Sequence, residues 1–192
     1  MAVLQRKGQL YTYVDYLNWP DDEKWEIIYG EPYAMSPAPS TDHQVILGEL
    51  FYQFRSYLKN RSCQIFVAPF DVRIPLEEEN DENTKTVVQP DISIICDINK
   101  IDSKGCKGAP DLVVEIVSSS TFRKDVKDKF FLYERSGVKE YWLVYPNEKT
   151  VMVYKLGENG KYGRPEVYSE EDSVKVGIFQ GLNIELKEIF II

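Results

Sequence analysis

Two long amphipathic helical stretches, set among short strand-like runs without regular alternation, constrain this chain more than any other feature. The first covers residues 42–59, where Leu47, Leu50, Phe51, Phe54 and Leu58 recur at three- and four-residue steps. Ser40 or Thr41 is placed to cap its start. The second covers residues 122–135, with Ser119, Ser120 or Thr121 as cap and Gly137 as stop. Before the first, residues 25–29 and 31–35 flank Gly30 as a tight strand reversal; between the two, residues 65–74 read as a strand bent at Pro69, and residues 87–95 as another strand. Tyr141 to Tyr145 and Thr150 to Leu156 read as a hairpin, and the segment 161–192 as short strands separated by turns. Thr12 is placed to cap a short helix that ends before Pro20. A doubly wound fold needs strands and helices to alternate, so this order favours α+β, a mixed α/β arrangement.

A chain of 192 residues with 43% apolar and 13% aromatic side chains has enough to bury for one domain, expected to span 1–192. Its net charge of −8 argues against coating nucleic acid or an anionic membrane by bulk electrostatics, while leaving a site-specific role open. Cys63, Cys96 and Cys106 form no CxxC pair, and the single histidine, His43, cannot complete a zinc quartet. An odd, sparse cysteine count suits a reducing compartment, where thiols act as small apolar residues, so a cytoplasmic location is expected. Arg6 and Lys7 precede no apolar signal core, and no run approaches the roughly 18 residues a membrane span needs. No removed leader and no membrane association are expected. The acidic run Glu77, Glu78, Glu79, Asp81, Glu82 reads as a solvated loop. The loop 36–40, with Pro37 and Pro39, continues neither of its flanking elements.

Two strand faces carry the chemistry. In residues 87–95, period two sets Val88, Pro90, Ile92 and Ile94 on one face and Gln89, Asp91 and Ser93 on the other. In residues 111–117, Asp111, Val113, Glu115 and Val117 share a face, so Glu115 is a carboxylate among valines, a buried charge that needs a cation or metal to compensate it. The second helix supplies a compensating charge: Phe122, Val126, Phe130 and Tyr133 form its apolar stripe, and Lys129 lies on that side. Each residue also has a plainer explanation. Lys129 can snorkel to water, Asp91 can be a turn carboxylate, and Glu115 can belong to a structural ion pair. As a set they suggest a Mg²⁺ site held by Asp91, Glu115 and the main-chain carbonyl of Ile116, with the lysine acting on a water or a phosphate.

At these residues the chain resembles the Uma-two family, which is similar to restriction endonucleases of the PD-(D/E)xK superfamily. The resemblance rests on Val88-Gln89-Pro90-Asp91-Ile92-Ser93, on the run from Gly108 to Ser118, on Asp125 with Lys129 to Tyr133, and on Gly137 to Val144. Upstream, Trp25 to Glu31 and Met35 to Ser40 with His43-Gln44 extend it. It implies a restriction endonuclease-like central mixed β-sheet flanked by helices, with Asp91 as the PD aspartate and Glu115 as the following acidic residue. The slot two residues after Glu115, where the superfamily usually has lysine, holds Val117, so the resemblance carries the lysine's role to Lys129 on the next helix. Glu49 matches a position where superfamily members often place a further carboxylate, and equally suits a solvated helix face. His43 is expected to cap or pack near the helix start rather than to serve as general base.

The leading expectation is therefore a Mg²⁺- or Mn²⁺-dependent endonuclease hydrolysing phosphodiester bonds in DNA. The alternative is a nuclease-fold binding or interaction module without turnover; a hydrolase of another phosphoester ranks third. No GxSxG elbow or Walker phosphate loop offers a competing system. Cleavage of both strands would need two sites, and the tyrosine-rich C-terminal strands would suit a homodimer contact.

Overall fold

The computed structural model describes residues 8–20, 24–35, 38–76 and 79–191. Helix α1 (Tyr13–Tyr16) starts at Thr12, whose amide and hydroxyl both donate to Asp15 Oδ2, at 2.8 and 2.9 Å. Strands β1 (Trp25–Ile28) and β2 (Glu31–Ala34) pair antiparallel across Tyr29 and Gly30. Both turn residues have positive φ, 54° and 83°, which matches the twist of a tight hairpin. In α2 (Thr41–Leu58) the Ser40 hydroxyl accepts from the His43 amide at 3.2 Å, and Ile46, Leu50, Phe54 and Leu58 are buried.

Each of the runs 65–74 and 87–95, expected as a single strand, is divided between two sheets. The first becomes β3 (Gln64–Val67) and β4 (Val72–Arg73), the second β5 (Val87–Val88) and β6 (Ile92–Ile95). Pro69 and Pro90 lack the amide that a continuing ladder needs, and the chain changes sheet around each of them. The chain continues through β7 (Ile101–Asp102), β8 (Gly105–Lys107) and β9 (Leu112–Ile116). After the second long helix come β10 (Glu140–Tyr145), β11 (Thr150–Lys155), β12 (Glu166–Ser169), β13 (Ser173–Lys175), β14 (Asn183–Glu185) and a final turn of helix. The first sheet runs β2-β1-β5-β4-β8-β7, the second β12-β11-β10-β9-β6-β3. In the second, β9 is parallel to β10 and antiparallel to β6. Mixed sheets with flanking helices make this the mixed α/β class that the element order implies.

Both faces of the second sheet are covered. One packs Ile92, Ile94, Leu112, Val114 and Ile116 against α2 and the C-terminal residues. The other packs Ile95, Val113, Val117, Tyr141 and Leu143 against the first sheet and the second helix. Alternation along β9 thus holds as expected, and Glu115 points with Val113 and Val117 toward the first sheet.

The second long helix departs from expectation in its middle. It is helical from Phe122 to Ser136, but Lys124–Lys129 forms a π-helix ahead of α3 (Phe130–Ser136). Gly137, at φ 83°, closes it. A π segment holds an extra residue per turn and rotates everything before it relative to an α-helix. Phe122, expected on the inward stripe, is therefore 51% exposed, whereas Asp125, Lys129, Leu132 and Tyr133 are buried.

Two smaller expectations also change. Cys63 and Cys96, taken as free thiols, form a disulfide, because the β3–β6 register that sets Gln64 opposite Ile95 brings them together. Cys106 remains a buried free thiol, and the pairing removes the cysteine-based reason for a reducing compartment. Of the acidic run, Glu77 and Glu78 lie outside the described residues, as do Ser36, Pro37, Arg6 and Lys7. Asp81 is not simply solvated, since it binds the buried guanidinium of Arg73 at 2.6 Å. Among the described residues no helix is long and apolar enough to cross a membrane.

Candidate active site

Glu115 sits in the middle of β9, opposite Leu143 of β10, and is 4% exposed. Its Oε1 accepts from the Lys129 ammonium at 2.8 Å and from the Tyr133 hydroxyl at 2.9 Å. Those donors lie four residues apart on the π segment and on α3, one above the other on the buried face. The pairing expected from strand and helix faces is therefore present as a direct contact.

Asp91 ends the link that leaves β5 and enters β6. Its Oδ2 accepts from the Ile116 amide at 2.7 Å, which ties the carboxylate to the residue after Glu115. Its Oδ1 lies 3.2 Å from His43 Nε2. His43 therefore does more than pack at the helix start: its amide helps cap α2 and its ring reaches the site. Burial opposes protonation of that ring, but the hydrogen bond and charge of Asp91 outweigh it and raise the histidine above its ordinary value. The ring's Nδ1 is buried without a hydrogen-bond partner. Asp91, Glu115, Ile116, Lys129 and His43 are thus gathered at one place. Glu49 is partly exposed and lies six residues beyond His43 on α2, so helical geometry sets it about 120° around the helix from His43.

Glu26, Lys124, Asp125 and Tyr133 complete the cluster and were not singled out in the sequence as site residues. Glu26, on β1 and fully buried, receives Lys129 Nζ on Oε1 at 2.8 Å and the Gln89 amide on the same oxygen at 2.9 Å. Its Oε2 binds the Lys124 ammonium. Asp125 Oδ1 stands 3.9 Å from Lys129 Nζ. The signal that marks Glu115, a carboxylate within an apolar strand, is equally present in Trp25-Glu26-Ile27-Ile28.

The charges do not balance evenly. Burial raises Glu115, the Lys129 charge lowers it, and Asp125, Asp91 and Glu26 raise it again, for a result of about 8. Burial likewise lifts Asp125 to about 6 against the pull of Lys129. Burial opposes ionisation of Glu26 as well, but Lys129 and Lys124 hold it down to about 2. Lys129 stays above its ordinary range because Glu115, Glu26 and Asp125 overcome the cost of its burial.

A hard divalent cation suits this donor set. Asp91, Glu115 and the Ile116 carbonyl offer only oxygen, and the upward displacement of Glu115 and Asp125 marks buried negative charge that a cation relieves. Among the described residues no three His, Cys, Asp or Glu side chains form a ready metal cage, so water would complete the shell, as Mg²⁺ prefers.

A mixed sheet with paired carboxylates at its centre and a lysine from the next helix defines a nuclease-like protein. The crystal structure of "a putative nuclease belonging to DUF820" from Anabaena variabilis has this fold, with a TM-score of 0.73 at 24% identity over 94% of this chain and 97% of that one. The chain belongs to the Uma2 family, described as "Putative restriction endonuclease", whose model matches residues 13–187. A relative from Synechocystis sp., described as "Uncharacterized protein slr1290", is 30% identical over 151 residues, 77% of this chain and 75% of that protein. The family membership that the motifs suggested is thereby borne out.

Proposed function

We propose that this chain is a divalent-cation-dependent endonuclease that hydrolyses phosphodiester bonds in DNA. The observation that carries the reading is the junction at Glu115 and Ile116. The Glu115 carboxylate meets the Lys129 ammonium at 2.8 Å, while Asp91 grips the next amide at 2.7 Å. Asp91, Glu115 and the Ile116 carbonyl would hold Mg²⁺ or Mn²⁺, which supplies a polarised phosphoryl oxygen and a more acidic water. Lys129 orients the attacking water or stabilises the charge that develops on the phosphorus oxygens. Tyr133 donates to Glu115 and fixes its rotamer, and His43 does the same for Asp91. Membership in a family described as "Putative restriction endonuclease" supports the choice of DNA.

Supercoiled plasmid incubated with the protein and Mg²⁺ or Mn²⁺ tests this. The wild type should nick at least ~10²-fold faster than Asp91→Ala or Lys129→Ala. Equal rates across the three proteins overturn the reading. A second reading, a binding module of the same fold without turnover, draws on the net charge of −8. It predicts no nicking and no cation binding beyond that of an Asp91→Ala, Glu115→Ala double variant.

A further inference from the structure

Glu26 is fully buried, ionised and held on three sides, yet the chemistry just described does not use it. Resting on the cation reading above, we infer that Glu26 is a positioning residue that retains the Lys129 ammonium when a divalent cation engages Glu115.

The geometry divides one ammonium between two carboxylates. Lys129 Nζ lies 2.8 Å from Glu26 Oε1 and 2.8 Å from Glu115 Oε1, with Asp125 farther off at 3.9 Å. An ammonium and a metal ion cannot both rest on Glu115 Oε1 without like-charge repulsion in a poorly solvated place. A cation arriving at Glu115 therefore competes with Lys129. Without a second carboxylate, the displaced ammonium would be a buried and largely unpaired charge, and the cation would have to overcome that cost. Glu26 removes the cost because its bond to Lys129 already exists. It is also a fixed anchor: the Gln89 amide and the Lys124 ammonium hold both of its oxygens to β1's position in the first sheet. Lys129 would then remain beside the scissile phosphate instead of leaving with its displaced partner.

Mn²⁺ titration of the full chain by calorimetry or electron paramagnetic resonance, at one fixed pH for every variant, tests the inference. The set is wild type, Glu26→Gln, Lys129→Gln and the double variant. Lys129→Gln removes the competitor and should tighten Mn²⁺ about tenfold, a direction that mere damage to the fold does not produce. Glu26→Gln should weaken it ~10- to 100-fold. In the Lys129→Gln background the Glu26→Gln effect should shrink to less than about threefold, because Glu26 acts through the lysine.

Equal weakening in both backgrounds overturns the inference, since it would show that Glu26 contributes only its charge at a distance. If Glu26→Gln does not fold, as judged by near-ultraviolet circular dichroism, Glu26→Asp takes its place in the cycle: weakening that shrinks in the Lys129→Gln background supports the inference, and equal weakening in both backgrounds or none overturns it. A wild type that binds no Mn²⁺ overturns the cation reading itself. A wild type that binds while the cycle shows no coupling overturns only the role given to Glu26.

Discussion

Glu115 holds its proton because of where β9 places it, and this links the residue to the stability of the whole chain. The unfolded chain releases that proton near 4.5, whereas the folded chain keeps it to about 8. Between those values the unfolded state binds fewer protons, so stability falls as pH rises. Asp125 acts in the same sense between 3.8 and about 6. Glu26 acts oppositely: its stabilisation is present above 4.5 and is lost as pH falls toward about 2. Denaturant unfolding without divalent cations should therefore show wild-type stability falling by about 1 kcal/mol per pH unit from roughly pH 6 to 8. Glu115→Gln, which cannot titrate, should show a clearly flatter line, and parallel lines would contradict the assignment. Glu115 was legible in the sequence because period-two alternation along an unbroken strand is a local property, whereas the alternation drawn through 87–95 fails at Pro90, where the chain changes sheet and Val88 packs apart from Ile92 and Ile94. Glu26 shows the same local signal, but its partner Lys124 is 98 positions away, and no spacing rule joins them.

The elements that bear these residues were legible wherever one helical or strand period runs unbroken. Helix α2 follows its 3.6-residue pattern from Ile46 to Leu58 and matches expectation nearly to the residue. The second helix does not, because the π segment resets the phase between Phe122 and Phe130. An α-helical reading puts Val126 and Phe130 inward beside Lys129, whereas the π geometry buries the charged pair Asp125 and Lys129 and leaves Val126 and Phe130 only partly covered. The extra residue thus serves the site at the expense of regular packing. Inserting an alanine after Lys127, which is exposed, adds a residue beyond the one the π segment already absorbs and should turn Lys124 and Asp125 by about 100° relative to Lys129. With the buried ion pairs misaligned, the insertion should cost ~3–5 kcal/mol in thermal unfolding and abolish nicking. Lys127→Ala preserves the register and should change stability by no more than about 0.5 kcal/mol. An insertion as mild as the alanine variant would show that the π segment does not position the lysine.

At the scale of the molecule, the cluster lies where every layer meets. Glu26 comes from the first sheet, Asp91 from the link between sheets, Glu115 from the second sheet, His43 from α2 and Lys129 from the second helix. Such convergence depends on strand order, and β1 beside β5 or β6 beside β9 is a pairing between distant segments that periodicity cannot reveal. The charge distribution, by contrast, is plain in the sequence. Residues 100–150 hold ten basic against eight acidic side chains, and the remainder 13 against 23. Of the ten, Lys129 and Lys124 are engaged with Glu26, Lys100 with the Ala109 carbonyl, Lys139 with Asp111 and Lys149 with Glu170, so half or fewer remain for phosphates. Counterion release scales with the number of phosphates neutralised, so grip on arbitrary duplex should be weak, with a dissociation constant at or above ~10⁻⁵ M at physiological salt. Fluorescence anisotropy across a salt series should also give a shallow slope, equivalent to about three phosphates or fewer. Micromolar or tighter binding with a steep slope would contradict this, because it would require a basic surface that the acidic remainder of the chain does not supply. Specificity in such a nuclease would rest on a particular substrate structure or sequence reaching the buried Glu115 and Lys129, since general attraction to DNA is too weak to bring it there.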